Sequence, residues 1–318
     1  MTIRASLILL VLLVSVPIVY AQTETPTPTP TPADTILYVP DGDPAQSLLV
    51  TLPEGATTPY PTVLLFHGTG ASTSEMMPQR DYLAALGYAA VSVDFRTQEG
   101  IPAVLSDAFC ALGWVHASAD AYSFDLSRIA AFGYSNSGWQ VALLGAVENG
   151  SEFLLDDCPH TLPEDSRVGG VITYSGLLFT PATIAASRSD FSQEQVEYLE
   201  YLTLVPPPGW ADFLDEAWTD FLRPYPVYWL DASDAPLLII HGEADELVPV
   251  DFSASFAATA TSAGVEVDLS LLPEGEHDLL LFDEDQLPEI DAAVTAFLGE
   301  ALLTGEAASP RETSTPTP

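Results

Sequence analysis

Gly133-Tyr134-Ser135-Asn136-Ser137 stands where an apolar run, Arg128 to Gly133, gives way to a helix-like segment starting near Ser137. A serine at a sharp strand-to-helix turn projects its hydroxyl clear of a sheet, and the helix N-terminus behind it favours developing negative charge. Serine is a weak nucleophile unless an imidazole accepts its proton, and the imidazole works better when a carboxylate fixes its tautomer. Both groups lie downstream. Asp245 follows the apolar run Pro236 to Ile240 in Pro236-Leu-Leu-Ile-Ile-His241-Gly-Glu-Ala-Asp245-Glu-Leu-Val-Pro249, and His277 sits in Pro273-Glu-Gly275-Glu-His277-Asp278. Acting together, Ser135 as nucleophile, His277 as base and Asp245 as orienting acid would perform acyl transfer through a serine ester. Glu243 and Asp278 are rival acids. Asp245 is preferred over them, since Glu243 lies nearer the strand and Asp278 adjoins the histidine, where neighbouring side chains diverge.

A negative charge developing on a substrate oxygen needs donors, and Thr62 to Phe66 ends in His67-Gly68-Thr69-Gly70, where glycine lets backbone N–H groups approach closely. The backbone N–H groups of Thr69 and Asn136 are the expected oxyanion hole. Ser137 departs from the usual glycine of such an elbow, and Gly138 comes one residue late. The turn needs small residues for steric reasons, which Ser137 can satisfy. Met76, Met77, Trp139, Tyr174, Trp210 and Trp218 have the size to line an acyl pocket, although each reads better as ordinary packing.

Positioning these groups requires a scaffold whose strand ends converge. Short β-branched and apolar runs alternate with longer helical patterns, as in a mainly parallel sheet covered on both faces. Strands are expected at Ile36–Val39, Ser47–Leu52, Thr62–Phe66, Ala89–Asp94, Arg128–Gly133, Gly170–Tyr174, Leu237–His241 and Glu266–Leu271. Helices are expected at Ser74–Leu86, Ala103–Ala119, Ser137–Asn149, Phe252–Ala263 and Glu289–Leu303. With no helix between them, the first two strands read as an antiparallel pair at the sheet edge. Residues 177–234 interrupt the rhythm. Gln193 to Leu204 and Trp210 to Leu222 have helical spacing around Pro206-Pro207-Pro208, so the insert reads as a helical cap or as a peripheral helical pair.

The flanks differ in composition. Arg4, the apolar stretch Leu7 to Tyr20 and Val19-Tyr20-Ala21 before Gln22 fit a signal peptide of residues 1–21. The stretch is short of the roughly 20 residues of a bilayer span, so no stable membrane insertion is expected after cleavage; a retained anchor is the alternative. Residues 22–33 and 305–318 are Thr/Pro-rich and read as a linker and a disordered tail around a folded domain at 34–304. The two cysteines, Cys110 and Cys158, are expected to form one disulfide in an exported chain, with free buried thiols as the alternative.

Among 318 residues, 8 basic and 45 acidic side chains give a formal charge of −37, and every basic residue is arginine. Nucleic acid is excluded as a partner on these numbers, because such affinity comes largely from cations neutralising phosphates. No calcium-loop spacing or metal-ligand cluster appears, so neither metal nor cofactor is expected.

The elbow at Ser135, the His67-Gly68 loop and the His241-Gly-x-x-Asp245-x-x-Val-Pro249 segment, in the order nucleophile, acid, base, resemble the α/β-hydrolase superfamily. Within it they look most like dienelactone-hydrolase-like and prolyl-oligopeptidase-like catalytic domains, over roughly residues 45–303. The resemblance implies an α/β-hydrolase fold, an eight-stranded mainly parallel sheet with helices on both faces and a helical cap insert. It places the triad on Ser135, Asp245 and His277, and it leaves His67 to fix its loop rather than act as base. Dienelactone hydrolases use a cysteine at the elbow, so Ser135 points instead to ester or amide cleavage. Little sequence separates the leader from the first strand, which leaves no place for the propeller domain of prolyl-oligopeptidase-like enzymes. A secreted, carboxylesterase-like serine hydrolase acting on a small-molecule ester is the expected function. A peptidase or acyltransferase on the same triad, or an inactive surface-binding module, are the alternatives.

Overall fold

A computed structural model describes residues 35–180, 183, 223–277 and 287–303, all within the unit Asp34–Pro318. The expected leader, linker and tail, and the two expected cap helices, lie outside the described residues.

Eight strands form one sheet in the order β1-β2-β4-β3-β5-β6-β7-β8. They are β1 (Ile36–Leu37), β2 (Ser47–Thr51), β3 (Tyr60–Phe66), β4 (Ala89–Val93), β5 (Phe124–Tyr134), β6 (Gly170–Tyr174), β7 (Leu237–Gly242) and β8 (Val267–Leu272). β1 pairs antiparallel with β2, and β2 with β4. From β4 through β3 to β8 every pairing is parallel. The edge hairpin and the parallel body are those the connection lengths demand, since parallel neighbours need a crossover.

The helices are α1 (Met77–Ala85), α2 (Ile101–Tyr122), α3 (Ser137–Ala146), α4 (Asp251–Ala263) and α5 (Leu287–Leu298). Strand side chains alternate between two cores. Leu64 and Phe66 of β3, Ala131 of β5 and Ile239 of β7 pack with α2, α3 and α4. Val63, Leu65, Phe132 and Ile240 pack with Leu83 of α1 and with Ile290, Val294 and Phe297 of α5. Because both faces are buried, these strands read as continuous apolar runs rather than as alternation.

Most element ends differ from the sequence reading by a few residues, and two of the differences have plain local causes. α1 starts at Met77, later than Ser74, with Pro78 in its first turn, where a missing N–H costs nothing. β5 starts at Phe124, earlier than Arg128. Asp125 turns the chain by accepting from the Ser127 backbone N–H (3.0 Å), which looks like a loop signal, yet Phe124 already pairs with Tyr60.

Cys110 of α2 is bonded to Cys158, 48 positions further along the chain. In the chain-entropy view, closing a loop of that size stabilises the fold by about 4 kcal/mol. On the same helix, Asp107 is fully buried beneath Arg96, whose guanidinium meets it at 2.7 Å. Asp107 also accepts from Gln46 (2.9 Å) and from the Arg96 backbone N–H (2.8 Å), which stitches the strand hairpin to α2.

The entry to β7 holds a carboxyl that is poorly compensated. Asp234 has a side chain only 3% exposed, and Arg167, 4.0 Å away, directs its hydrogen bonds to Asp165 and Ser233 instead. Burial pushes the Asp234 carboxyl from 3.8 up to about 7, against the hydrogen bond from the Asp231 backbone N–H. A raised folded pKa means the folded chain holds a proton that the unfolded chain has lost, so this group lowers stability as pH rises from about 4 to about 7. Asp234→Asn should therefore raise the thermal midpoint relative to wild type at about pH 8 and leave it nearly unchanged at about pH 4, measured by thermal melts at both values.

Candidate active site

The elbow is built by backbone crowding. Ser135 has φ +54°, a left-handed conformation rare for a side chain of this kind. Its N–H donates to the Tyr174 carbonyl (2.8 Å), and its own carbonyl accepts from Gly138 (3.0 Å) and Leu177 (3.1 Å). A Cβ on Gly133 would meet the Ser137 carbonyl at 2.5 Å, and one on Gly138 would meet the Gly176 Cα at 2.6 Å. Only glycine fits at either place, so Gly138 supplies the close approach. Ser137 does something else: its buried hydroxyl donates to the His67 carbonyl (2.5 Å) and ties the start of α3 to the His-Gly loop. Sequence reasoning saw a small residue there and missed the bond.

Three side chains meet above the strand ends. His277 Nδ1 donates to Asp245 Oδ2 (2.7 Å), and its Nε2 stands 2.9 Å from the Ser135 hydroxyl, placed to accept its proton. Asp245 is 7% exposed. Its Oδ1 accepts from the Leu247 (2.9 Å) and Val248 (2.8 Å) backbone N–H groups, and its Oδ2 also lies 3.2 Å from His241 Nε2. Burial pushes this carboxyl up, but the hydrogen bonds from His241, His277 and Val248 outweigh it and hold the group well below the usual carboxylate range. Asp245 is thus a carboxylate at neutral pH. Of its rivals, Glu243 is exposed to solvent, and Asp278 lies outside the described residues.

The His-Gly loop lies directly against Ser135. A Cβ on Gly68 would come within 3.1 Å of the Ser135 Cβ and the Tyr134 ring. Among the described residues, no carbonyl accepts from the Thr69 or Asn136 backbone N–H. Asn136 is the N-cap of α3, where amides lack intrahelical partners. His67 faces away from this chemistry. Its Nδ1 is 2.8 Å from the Gly68 carbonyl, its Nε2 is 3.1 Å from Asp94 Oδ1, and its ring stacks on Phe95. Asp94 in turn accepts from the Thr73 backbone N–H (2.8 Å), so the pair braces the loop from both ends.

Of the residues weighed for an acyl pocket, Met76 and Tyr174 are buried in the core on the α1 side, and Met77 is 44% exposed. Trp139 packs on Tyr225, Tyr225 on Phe179, and Phe179 on Phe252, an aromatic row beside the elbow. Trp210 and Trp218 lie outside the described residues. Among the described residues no cluster of three or more His, Cys, Asp or Glu is arranged to hold a metal ion.

The chain is similar to known proteins over much of its length. Residues 48–259, well over half of the chain, fit the family described as BD-FAE. The chain belongs to the BD-FAE family. It is accordingly an α/β-hydrolase superfamily member, as the motif order implied; the narrower likeness to dienelactone hydrolases rests on the motifs alone. BD-FAE membership spans β2 to α4 and so includes Ser135 and Asp245, while His277 follows the matched segment. Esterase LipC of Mycobacterium tuberculosis is 26% identical over 274 residues, covering 81% of this chain and 63% of that protein. The probable carboxylic ester hydrolase LipM of the same organism is 26% identical over 265 residues, covering 82% and 56%. The chain therefore spans less than two thirds of the length of these curated relatives. Among solved structures, propionate-bound esterase 2 of Thermogutta terrifontis superposes with TM-score 0.65 at 21% identity, covering 86% of this chain and 95% of that one. A truncated carbohydrate esterase from gut microbiota gives 0.67 at 22%, covering 84% and 95%. At such identities the likeness is one of fold.

The acid and base loops of this BD-FAE chain are held together by backbone. Glu243 N–H donates to the Leu272 carbonyl (3.0 Å) and Ala244 N–H to the Gly275 carbonyl (2.9 Å). Gly242 packs so tightly on the Gly275 carbonyl that a Cβ would overlap it. Gly242→Ala must push the His277 loop off Asp245, and a displacement near 1 Å should lower kcat about 100-fold, as steady-state ester kinetics would measure, while Gly299→Ala, where a Cβ meets nothing, serves as a control.

Proposed function

We propose that this protein is an exported serine hydrolase that cleaves small carboxylic esters through an acyl-enzyme. The observation that carries the reading is the hydrogen-bonded chain Ser135 Oγ, His277 Nε2, His277 Nδ1, Asp245 Oδ2, at 2.9 and 2.7 Å. As the Ser135 oxygen bonds to the ester carbonyl carbon, its proton passes to His277 Nε2, and Asp245 offsets the imidazolium charge. The carbonyl oxygen becomes an oxyanion, for which the Thr69 and Asn136 backbone N–H groups are the proposed donors. Collapse breaks the bond to the alcohol oxygen, which leaves with the proton from His277. Water then repeats the cycle on the acyl-enzyme, freeing the acid and restoring Ser135.

Ester chemistry, rather than another acyl transfer, is supported by the names of the relatives LipC and LipM. The formal charge of −37 favours uncharged or cationic esters over anionic ones. Export is supported by the leader-like residues 1–21 and agrees with the Cys110–Cys158 bridge, a bond of oxidising compartments.

A fluorophosphonate probe should label wild type and leave Ser135→Ala unlabelled. The same variant should lose roughly 10⁴-fold or more in p-nitrophenyl ester turnover. An unlabelled, folded wild type would point to a binding module, and faster release from peptide anilides than from esters would point to a peptidase. Export is checked separately: expressed with its own leader, the protein found outside the cytoplasm should begin at Gln22, and a retained Met1 would argue for an anchor.

A further inference from the structure

The acyl-transfer steps leave one buried histidine unused. His241 lies near the end of β7 with no exposed surface. Its Nε2 faces two groups, the Val248 carbonyl at 2.8 Å and Asp245 Oδ2 at 3.2 Å, while its Nδ1 faces the Ser253 hydroxyl of α4 at 2.6 Å. A carbonyl and a carboxylate can only accept, so Nε2 carries the ring proton. Nδ1 is then free to accept the proton of the Ser253 hydroxyl, which can donate as well as accept. An uncharged ring satisfies all three partners.

We infer that His241 is a positioning residue for the acyl-transfer site: it shares Asp245 Oδ2 with His277 and so sets both the place and the basicity of that carboxylate. The inference rests on the reading of Ser135, His277 and Asp245 given above. One carboxylate oxygen stands against two imidazole nitrogens, His277 Nδ1 at 2.7 Å and His241 Nε2 at 3.2 Å, the latter sharing its N–H with the Val248 carbonyl at 2.8 Å. The first consequence is geometric, since Oδ2 is pinned between two rings and cannot swing away from His277. The second is electrostatic. A donor on Oδ2 withdraws charge from it, so the carboxylate stabilises a cationic His277 less than an undivided one would. Losing the donor would favour the imidazolium to higher pH and delay the appearance of the neutral base that catalysis requires.

The groups facing this relay come from three parts of the fold. His277 meets Ser135 and the Tyr134 ring from β5, 5.5 Å away, and Asp245 from the β7 loop. His241 meets Asp245 and, from α4, Ser253. Among the described residues, the other acids on these segments, Glu243, Glu246, Asp251, Glu274 and Glu276, are exposed to solvent. Water and salt screen them, so they do not compete with a buried donor in direct contact.

A packing histidine and a positioning histidine part company in the pH profile. For His241→Leu the acid limb of kcat/KM on a p-nitrophenyl ester should move up by about 0.5 to 1 pH unit. Its kcat should fall roughly 10-fold with KM within about 2-fold of wild type. His241→Gln, whose amide can still donate, should recover most of both. A folded His241→Leu protein with an unmoved acid limb and undiminished kcat would overturn the inference. A second measurement needs neither turnover nor that variant to fold. In proton–nitrogen spectra of histidine-labelled protein, the His241 Nε2–H resonance should move upfield in Asp245→Asn, and an unchanged resonance would equally overturn it. Wild type that fails to react with fluorophosphonate would sink the serine-hydrolase reading alone, because the spectra test the His241 contact directly.

Discussion

Taking a carboxylate out of water costs several kcal/mol unless donors replace the lost hydration, and at Asp245 that requirement organises everything nearby. Two backbone N–H groups reach Oδ1 because the chain turns tightly at Leu247 and Val248. Oδ2 is left for side chains, and the groups that reach it are His277 from the loop after β8 and His241 from β7. The charge is affordable in the interior only when both loops are in place, so ordering the acid and ordering the base are one event.

The sheet brings these loops within reach of the serine. β3, β5, β7 and β8 run parallel, so their C-terminal ends share one edge, where open α/β sheets gather their functional loops. Glycine does the close work there. Gly133 lets the strand pass into α3, Gly68 lets the His-Gly loop lie against Ser135, and Gly138 meets Gly176 backbone to backbone. The strained φ of Ser135 persists because its N–H donates to Tyr174 of β6 and its carbonyl accepts from Leu177.

Much of this was legible in the sequence, for identifiable reasons. Strands buried on both faces write themselves as unbroken apolar runs, and β6 was placed at Gly170–Tyr174 without error at either end. Ser135, Asp245 and His277 were legible because such chemistry needs scarce residue types at strand ends in a fixed order. Contacts made by a side chain across the fold were not. Nothing local to Ser137 announces a bond to the His67 carbonyl 70 residues earlier. His241 was visible within its motif, but its role depends on Ser253, twelve positions further along on another element. The Cys110–Cys158 bridge was expected from the leader and the cysteine count, and the fold bears it out by bringing their Cα atoms to 5.8 Å.

The two loops carrying Asp245 and His277 are joined through main chain, by the Gly242–Gly275 contact and the two hydrogen bonds beside it. The side chains of Glu243, Ala244, Glu274 and Glu276 all point outward from that seam. Natural variation, or a designer reshaping the rim for a bulkier acid or alcohol, can exchange them without altering the register of the relay beneath. At Glu274 the choice narrows to residues that tolerate a φ of +59°, such as asparagine or glycine.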